Sequence, residues 1–249
     1  MDSFRLEVSE GCAANDRSLT PDREEVASDW AWLQRLRQQR AIVLVRSDSL
    51  ELGDRLARLA ISAGLTMIEI AWMNPQAAET IATLRRDFPQ CAIGAGTILS
   101  ATEAEAAIAA GAQFLFSPHT DRATLAAARS ASIPCVPGAL TPTEIHQAHT
   151  AGATAVKLFP IAPVGGVEYL RALRAPLPHL AFIPTGGITT TAAASYLEAG
   201  AIAVALSSAL FPSDLVRHQQ WSAIETHIRS FVAGLGPAMP IRDRVSYSD

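Results

Sequence analysis

Residues 41–72 read AIVLVRSDSLELGDRLARLAISAGLTMIEIAW. An unbroken apolar run, AIVLV, is followed by an amphipathic stretch that closes on Ala63-Gly64, and then by a second apolar run, TMIEIAW. A short run without polar alternation is what a strand buried on both faces looks like, and the stretch between has the length and period of a helix. Glycine just past the last apolar turn is a favoured helix stop, because it accepts positive φ without a Cβ clash. The unit reads as strand, helix, parallel strand.

The unit recurs along the chain. Apolar runs lie at 41–46, 66–72, 92–97, 114–118, 133–138, 155–160, 181–186 and 203–208, and Ala-Gly pairs recur at 63–64, 110–111, 151–152 and 199–200. Eight such repeats in about 200 residues predict an α/β fold of the closed (β/α)8 barrel type. An open doubly wound sheet is the alternative; it has fewer strands and a Gly-rich first turn. The one candidate turn, GAGTIL (94–99), lacks the third glycine and falls on the third run. Residues 1–27 read as a mobile N-terminal extension and 28–40, SDWAWLQRLRQQR, as a helix capped by Ser28 or Asp29. The barrel domain spans 28–235 and a tail follows at 236–249.

Composition narrows the function classes. The chain has 249 residues, 49% of them hydrophobic and only 18% charged, with a net charge of −4. A core-rich, mildly acidic chain without a basic stripe is not built for nucleic acid. No apolar run approaches the ~18 residues of a membrane span, and the start lacks a signal-peptide pattern. Cys12, Cys91 and Cys135 form no CxxC pair. An odd count with that spacing suits neither a disulfide framework nor zinc, so a reducing, cytoplasmic setting is expected.

Polar residues inside the apolar runs need a reason, because the C-terminal ends of barrel strands form the catalytic face. Lys157, in AVKLFP (155–160), is the single lysine beside nineteen arginines. By alternation it points into the barrel while Val156 and Leu158 point away. A snorkelling side chain is the plain alternative. Only lysine, however, loses its proton near neutral pH when desolvated, and a free amine attacks a carbonyl to form a Schiff base. Glu69, between two isoleucines, is expensive unless paired. It reads as a general acid/base beside Lys157, or as a structural partner of an arginine. Arg46 closes the first run and suits a substrate carboxylate, or a salt bridge to Glu69. Thr97 ends GAGT, either as a substrate hydroxyl contact or as a helix cap, and the glycines before it would let backbone approach a ligand.

PTGGIT (184–189) places Gly186 and Gly187 after the seventh run, where N–H groups at a helix N-terminus would bind an anion. Ser207 and Ser208 end the eighth run. The loops after strands seven and eight hold the recurrent phosphate site of this architecture. Pro118, His119 and Phe159, at neighbouring run ends, are further substrate-contact candidates. His146 and His149 stand three apart without a matching carboxylate or further histidine, so a solvated helix face is expected and no metal site.

Taken in order, IEI, GAGT, SP, PGALTPTE, KLFP, PTGGI and SALFP resemble the class I aldolases that cleave 2-keto-3-deoxy-6-phosphogluconate (KDPG) or 4-hydroxy-2-oxoglutarate (KHG). The resemblance covers about residues 30 to 212. It implies Lys157 as the Schiff-base lysine, Glu69 as the catalytic glutamate and Thr97 near the substrate carboxylate. Gly186, Gly187 and Ser208 fall on the phosphate site. It also implies a homotrimer, no cofactor and no metal. Phosphogluconate-type members carry EVTLRT, whose arginine binds the carboxylate; Met73 stands at that position here. Phosphogalactonate-type aldolases also lack it and place an arginine at the end of the first strand, where Arg46 stands. The carboxylate clamp is thus expected to be relocated to Arg46.

The expected partner is a small 2-keto acid, with no nucleic acid and no membrane. Lys157 would attack its C2 ketone, Glu69 would shuttle protons, and pyruvate would leave with glyceraldehyde 3-phosphate or glyoxylate. With Met73 in place, KDPG, KHG, the phosphogalactonate analogue and decarboxylation of oxaloacetate all stay open. A non-catalytic phosphate-sugar-binding barrel is the rival of another class; it leaves an inward lysine beside a glutamate unexplained.

Overall fold

The computed structural model describes residues 23–237. Nine strand segments occupy eight barrel positions: β1 (Ala41–Val45), β2 (Met67–Ala71), β3 (Ala92–Gly96), β4 (Leu115–Phe116), β5 (Cys135–Val136), β6 (Gly138–Ala139), β7 (Val156–Leu158), β8 (Phe182–Pro184) and β9 (Val204–Leu206). β5 and β6 are one strand position interrupted at Pro137, which has no N–H for a ladder. Parallel pairing runs from β1 through β2, β3 and β4 to β5, and from β6 through β7 to β8. β9 pairs with β1, and a parallel bridge from Thr185 to Ala205 links β8 to β9. The ring thus closes as the eight apolar runs predict.

Helices α2 (Leu50–Ser62), α3 (Ala77–Asp87), α4 (Ala101–Ala109), α5 (Arg122–Ser130), α6 (Pro142–Thr150), α7 (Gly166–Arg174) and α8 (Ala193–Glu198) return the chain between strands. α9 (Ser213–Arg217) and α10 (Trp221–Gly234) follow β9. Ser49, Ser100, Asp121 and Thr141 accept hydrogen bonds from the first-turn N–H groups of α2, α4, α5 and α6, supplying partners that a helix start lacks. Gly64, Gly111, Gly152 and Gly200 stop α2, α4, α6 and α8 in the left-handed region, as the Ala-Gly pairs suggest.

Two apolar layers result. One lies between strands and helices and includes Ile68, Ile70, Val156 and Leu158. The other fills the barrel and contains Ile42, Met67, Phe114, Phe116, Val136 and Ile183 together with Trp32 and Leu36 of α1 (Arg23–Gln39). The Trp32 ring meets Phe114 at 5.6 Å and Phe116 at 6.3 Å between centroids. α1 therefore plugs one end of the barrel and leaves the other for chemistry.

The expected cap at Ser28 or Asp29 is not observed, because α1 already begins at Arg23 and both residues lie inside it. They anchor α1 instead: Ser28 Oγ donates to the Ser132 carbonyl (3.1 Å), and Asp29 Oδ1 accepts from Thr154 Oγ1 (2.9 Å). The domain boundary read at 28 thus falls within a helix. The rest of the proposed extension, 1–22, and the tail from 238 lie outside the described residues. Among the described residues, no helix is long and apolar enough to cross a membrane.

Candidate active site

Lys157 and Glu69 both sit on the inward face. Their neighbours Val156, Leu158, Ile68 and Ile70 belong to the outer apolar layer, which leaves the intervening side chains facing the interior. Lys157 Nζ lies 3.9 Å from Glu69 Oε1, with the side chains 2% and 0% exposed. That distance is an ion pair but too long for a direct hydrogen bond. Among the described residues neither carboxylate oxygen of Glu69 accepts a hydrogen bond. The expected alternative, a structural pairing of Glu69 with an arginine, is therefore not what the site contains.

Burial acts on both charges. It pushes the Glu69 carboxyl above its ordinary range, opposed by the positive fields of Lys157 and Arg46. It pushes the Lys157 amine below its ordinary value, opposed by Glu69 and reinforced by Arg46. Both shifts favour the neutral forms, a nucleophilic amine beside a protonated acid. The Phe116 and Phe159 rings stand 5.7 and 5.3 Å from Lys157 Nζ and supply the apolar walls.

The glycines of GAGT serve a different purpose from the one expected. A Cβ on Gly94 would come within 2.5 Å of the Phe114 ring, and one on Gly96 within 1.7 Å of Glu69 Oε1. The bare backbone makes room for the protein's own side chains rather than for a ligand. Thr97, next in line, is not the cap of α4, since Ser100 holds that position. Its φ is +60°, a costly conformation for a β-branched residue, and its Oγ1 is buried without a hydrogen-bond partner among the described residues.

A cavity of ≈ 890 Å³ opens beside the pair and is lined by Arg46, Phe159, Gly186, Gly187, Ser207 and Ser208 among others. Phe159 links it to Lys157, which does not itself line it. Gly186 and Gly187 have φ of +91° and +78°, so this turn needs residues without a Cβ. They do not open a helix, contrary to expectation: α8 starts only at Ala193. The turn and the two serines offer this cavity donors for an anion, and Arg46, Arg55 and Arg217 line it as cations.

Pro118 and His119 do not line that cavity. His119 is exposed, and its ring nitrogen Nδ1 lies 3.3 Å from Ser117 Oγ. His149 pairs edge-on with His179 at 5.7 Å, away from the barrel mouth. Sequence reading missed Arg55, Arg217 and the buried Asn74. The first two look like ordinary helix-surface cations. The signal for Asn74 is a polar residue three positions past a buried strand, ahead of Pro75.

Several known proteins are similar to this chain. A family model described as KDPG and KHG aldolase matches residues 33–227. A 2-dehydro-3-deoxy-phosphogluconate aldolase of Treponema pallidum is 32% identical over 189 residues, 76% of this chain and 90% of that protein. The crystal structure of KDPG aldolase from Legionella pneumophila, with pyruvate captured as a covalent carbinolamine intermediate, aligns with a TM-score of 0.72 and 28% identity. It covers 80% of this chain and 97% of that one. A chain of a designed cube-shaped cage, made by fusing symmetric oligomeric domains, aligns with a TM-score of 0.68 and 27% identity over 79% of this chain and 74% of that one.

Proposed function

This chain belongs to the KDPG and KHG aldolase family, and from that membership we propose that it is a class I aldolase, a lyase. It would split a 2-keto-3-deoxy-6-phospho sugar acid, or 4-hydroxy-2-oxoglutarate, into pyruvate and an aldehyde. The observation that carries the reading is the buried Lys157 at 3.9 Å from a buried Glu69 whose oxygens accept no hydrogen bond among the described residues.

In this reading the neutral Lys157 amine attacks the C2 ketone, and the oxygen leaves as water after proton transfers through Glu69. The resulting iminium accepts the electron pair of the C3–C4 bond as that bond breaks. Glu69, as carboxylate, takes the C4 hydroxyl proton, so the departing fragment leaves as an aldehyde. Protonation of the enamine at C3 and hydrolysis release pyruvate and restore the amine. The 3.9 Å gap leaves room for a water or a substrate hydroxyl between the two groups. Arg46 and Thr97 hold the carboxylate, and Thr97's buried, unpartnered hydroxyl supports that role. Gly186, Gly187, Ser207 and Ser208 hold the phosphate, and Phe159 stands against both Gly186 and Lys157.

The same reading places the enzyme in the cytoplasm, in keeping with the free buried Cys91 and Cys135. It also makes the enzyme a homotrimer, supported by the likeness to a chain built from symmetric oligomeric domains. Light scattering on the purified chain tests the trimer. A coupled assay for pyruvate release from KDPG and from KHG tests the activity: wild type turns over at least one, and Lys157→Ala neither. Activity in Lys157→Ala would overturn the assignment.

A further inference from the structure

The loop that carries Arg46 is gripped by a side chain from the next loop. Asn74, just past β2, is 8% exposed. Its Oδ1 accepts from the Ser47 N–H (3.1 Å), and its Nδ2 donates to the Val45 carbonyl (3.1 Å). One primary amide therefore holds the peptide groups on both sides of Arg46. A side-chain amide accepts and donates at once from two separate atoms; a carboxylate only accepts.

The same loop is pinned twice more. Ser49 caps α2 by accepting from the Leu52 N–H at 3.2 Å. Gly53 lets α2 lie close under the loop, since a Cβ there would sit 2.7 Å from Ser47 Oγ. Three restraints within five residues leave little freedom in the backbone at Arg46. Its side chain, in contrast, is exposed and makes no ion pair or hydrogen bond among the described residues. The backbone thus fixes the origin and Cα–Cβ direction of the Arg46 side chain, and the guanidinium is left free to meet a ligand. Met73, next to Asn74, is 70% exposed and has no group that could bind an anion.

We propose that Asn74 is a positioning residue that aims Arg46 at the carboxylate of the 2-keto acid. The inference rests on the reading of Arg46 as the carboxylate clamp. Bidentate pairing of a guanidinium with a carboxylate needs both groups in one plane, so a loop that wanders loses it. Asn74 touches no substrate in this account; it acts through Val45, Ser47 and Arg46.

The test is borohydride trapping of pyruvate on the full chain, titrated to find the concentration that gives half-maximal labelling. Hydroxyacetone, a ketone without a carboxylate, is titrated in parallel. In Asn74→Ala the half-saturating pyruvate concentration is expected to rise about tenfold, with the labelling plateau and the hydroxyacetone curve unchanged. Asn74→Asp, near in shape but without the donor to Val45, is expected to move the same way. Adding Asn74→Ala to Arg46→Ala should weaken pyruvate no further, because the residues act as one unit. Equal losses for pyruvate and hydroxyacetone, additive effects of the two substitutions, or a wild-type-like Asn74→Asp would each overturn the proposal. If wild type itself traps no pyruvate on Lys157, the aldolase reading fails and takes this inference with it. If wild type traps normally and the Asn74 results are additive, only this inference falls.

Discussion

Lys157 on β7 and Glu69 on β2 face each other across the barrel interior at 3.9 Å, and neither side chain is more than 2% exposed. Two opposite charges in that setting cost more to desolvate than their attraction returns, unless they neutralise or are used. Their neutral forms suit a nucleophile and an acid.

Replacing Glu69 by Gln keeps the volume and removes the proton carrier. Turnover should fall by about 10²- to 10⁴-fold, the usual worth of general acid/base catalysis. Glu69 is also the group that favours the charged amine of Lys157. In its absence the amine loses its proton more easily, so the rising limb of the pH–rate profile should move to lower pH. A limb that moves to higher pH would show that the carboxylate does not act on Lys157 as described.

Stability should depend on pH with opposite slopes in two variants. The Lys157 amine is depressed below its ordinary 10.5 by burial. Its penalty to the fold is therefore full below the folded pKa and vanishes as pH rises to 10.5. The Glu69 carboxyl is raised above its ordinary 4.5. Its penalty is full above the folded pKa and vanishes as pH falls to 4.5. Relative to wild type, Lys157→Met should gain more urea resistance near about pH 6 than near about pH 9, and Glu69→Gln the reverse. Flat differences across that range would contradict the shifts.

Gly96→Ala should damage both fold and activity. A Cβ there would come within 1.7 Å of Glu69 Oε1, so the carboxylate must move or the backbone must. Overpacking of this kind costs about 1–3 kcal/mol, readable as a lower unfolding midpoint, together with a loss of turnover. Gly94→Ala meets the Phe114 ring instead and is expected to cost stability with less effect on turnover.

Ser208 separates the two substrate classes. It lines the cavity with Gly186, Gly187 and Ser207. Ser208→Ala should raise KM for KDPG by about tenfold, the worth of a hydrogen bond to a charged group, and leave KM for KHG unchanged. An equal change for both would place the phosphate elsewhere.

Much of this was legible in the residues. Alternation around Val156-Lys157-Leu158 and Ile68-Glu69-Ile70 orients both key side chains, because a strand has a fixed period of two. The Ala-Gly pairs mark helix ends for a reason that is local to the backbone. What was not legible depends on contacts between distant segments. Trp32 and Leu36 look like any amphipathic helix face, and their place as the barrel plug follows from the closed ring. The left-handed backbone of Thr97 is unexpected for a β-branched residue and is imposed by its surroundings. The space at Gly94 and Gly96 is filled by Phe114, just ahead of β4, and by Glu69 of β2, which the GAGT string does not reveal.

The most direct measurement is mass spectrometry after borohydride reduction with pyruvate, on wild type and on Lys157→Arg. Lys157 is the chain's one lysine, so the adduct site is unambiguous against every amine except the N-terminus. The account predicts one pyruvate-derived adduct on wild type, mapped to Lys157, and none on Lys157→Arg. No adduct at saturating pyruvate, or an adduct that survives in Lys157→Arg, would contradict it.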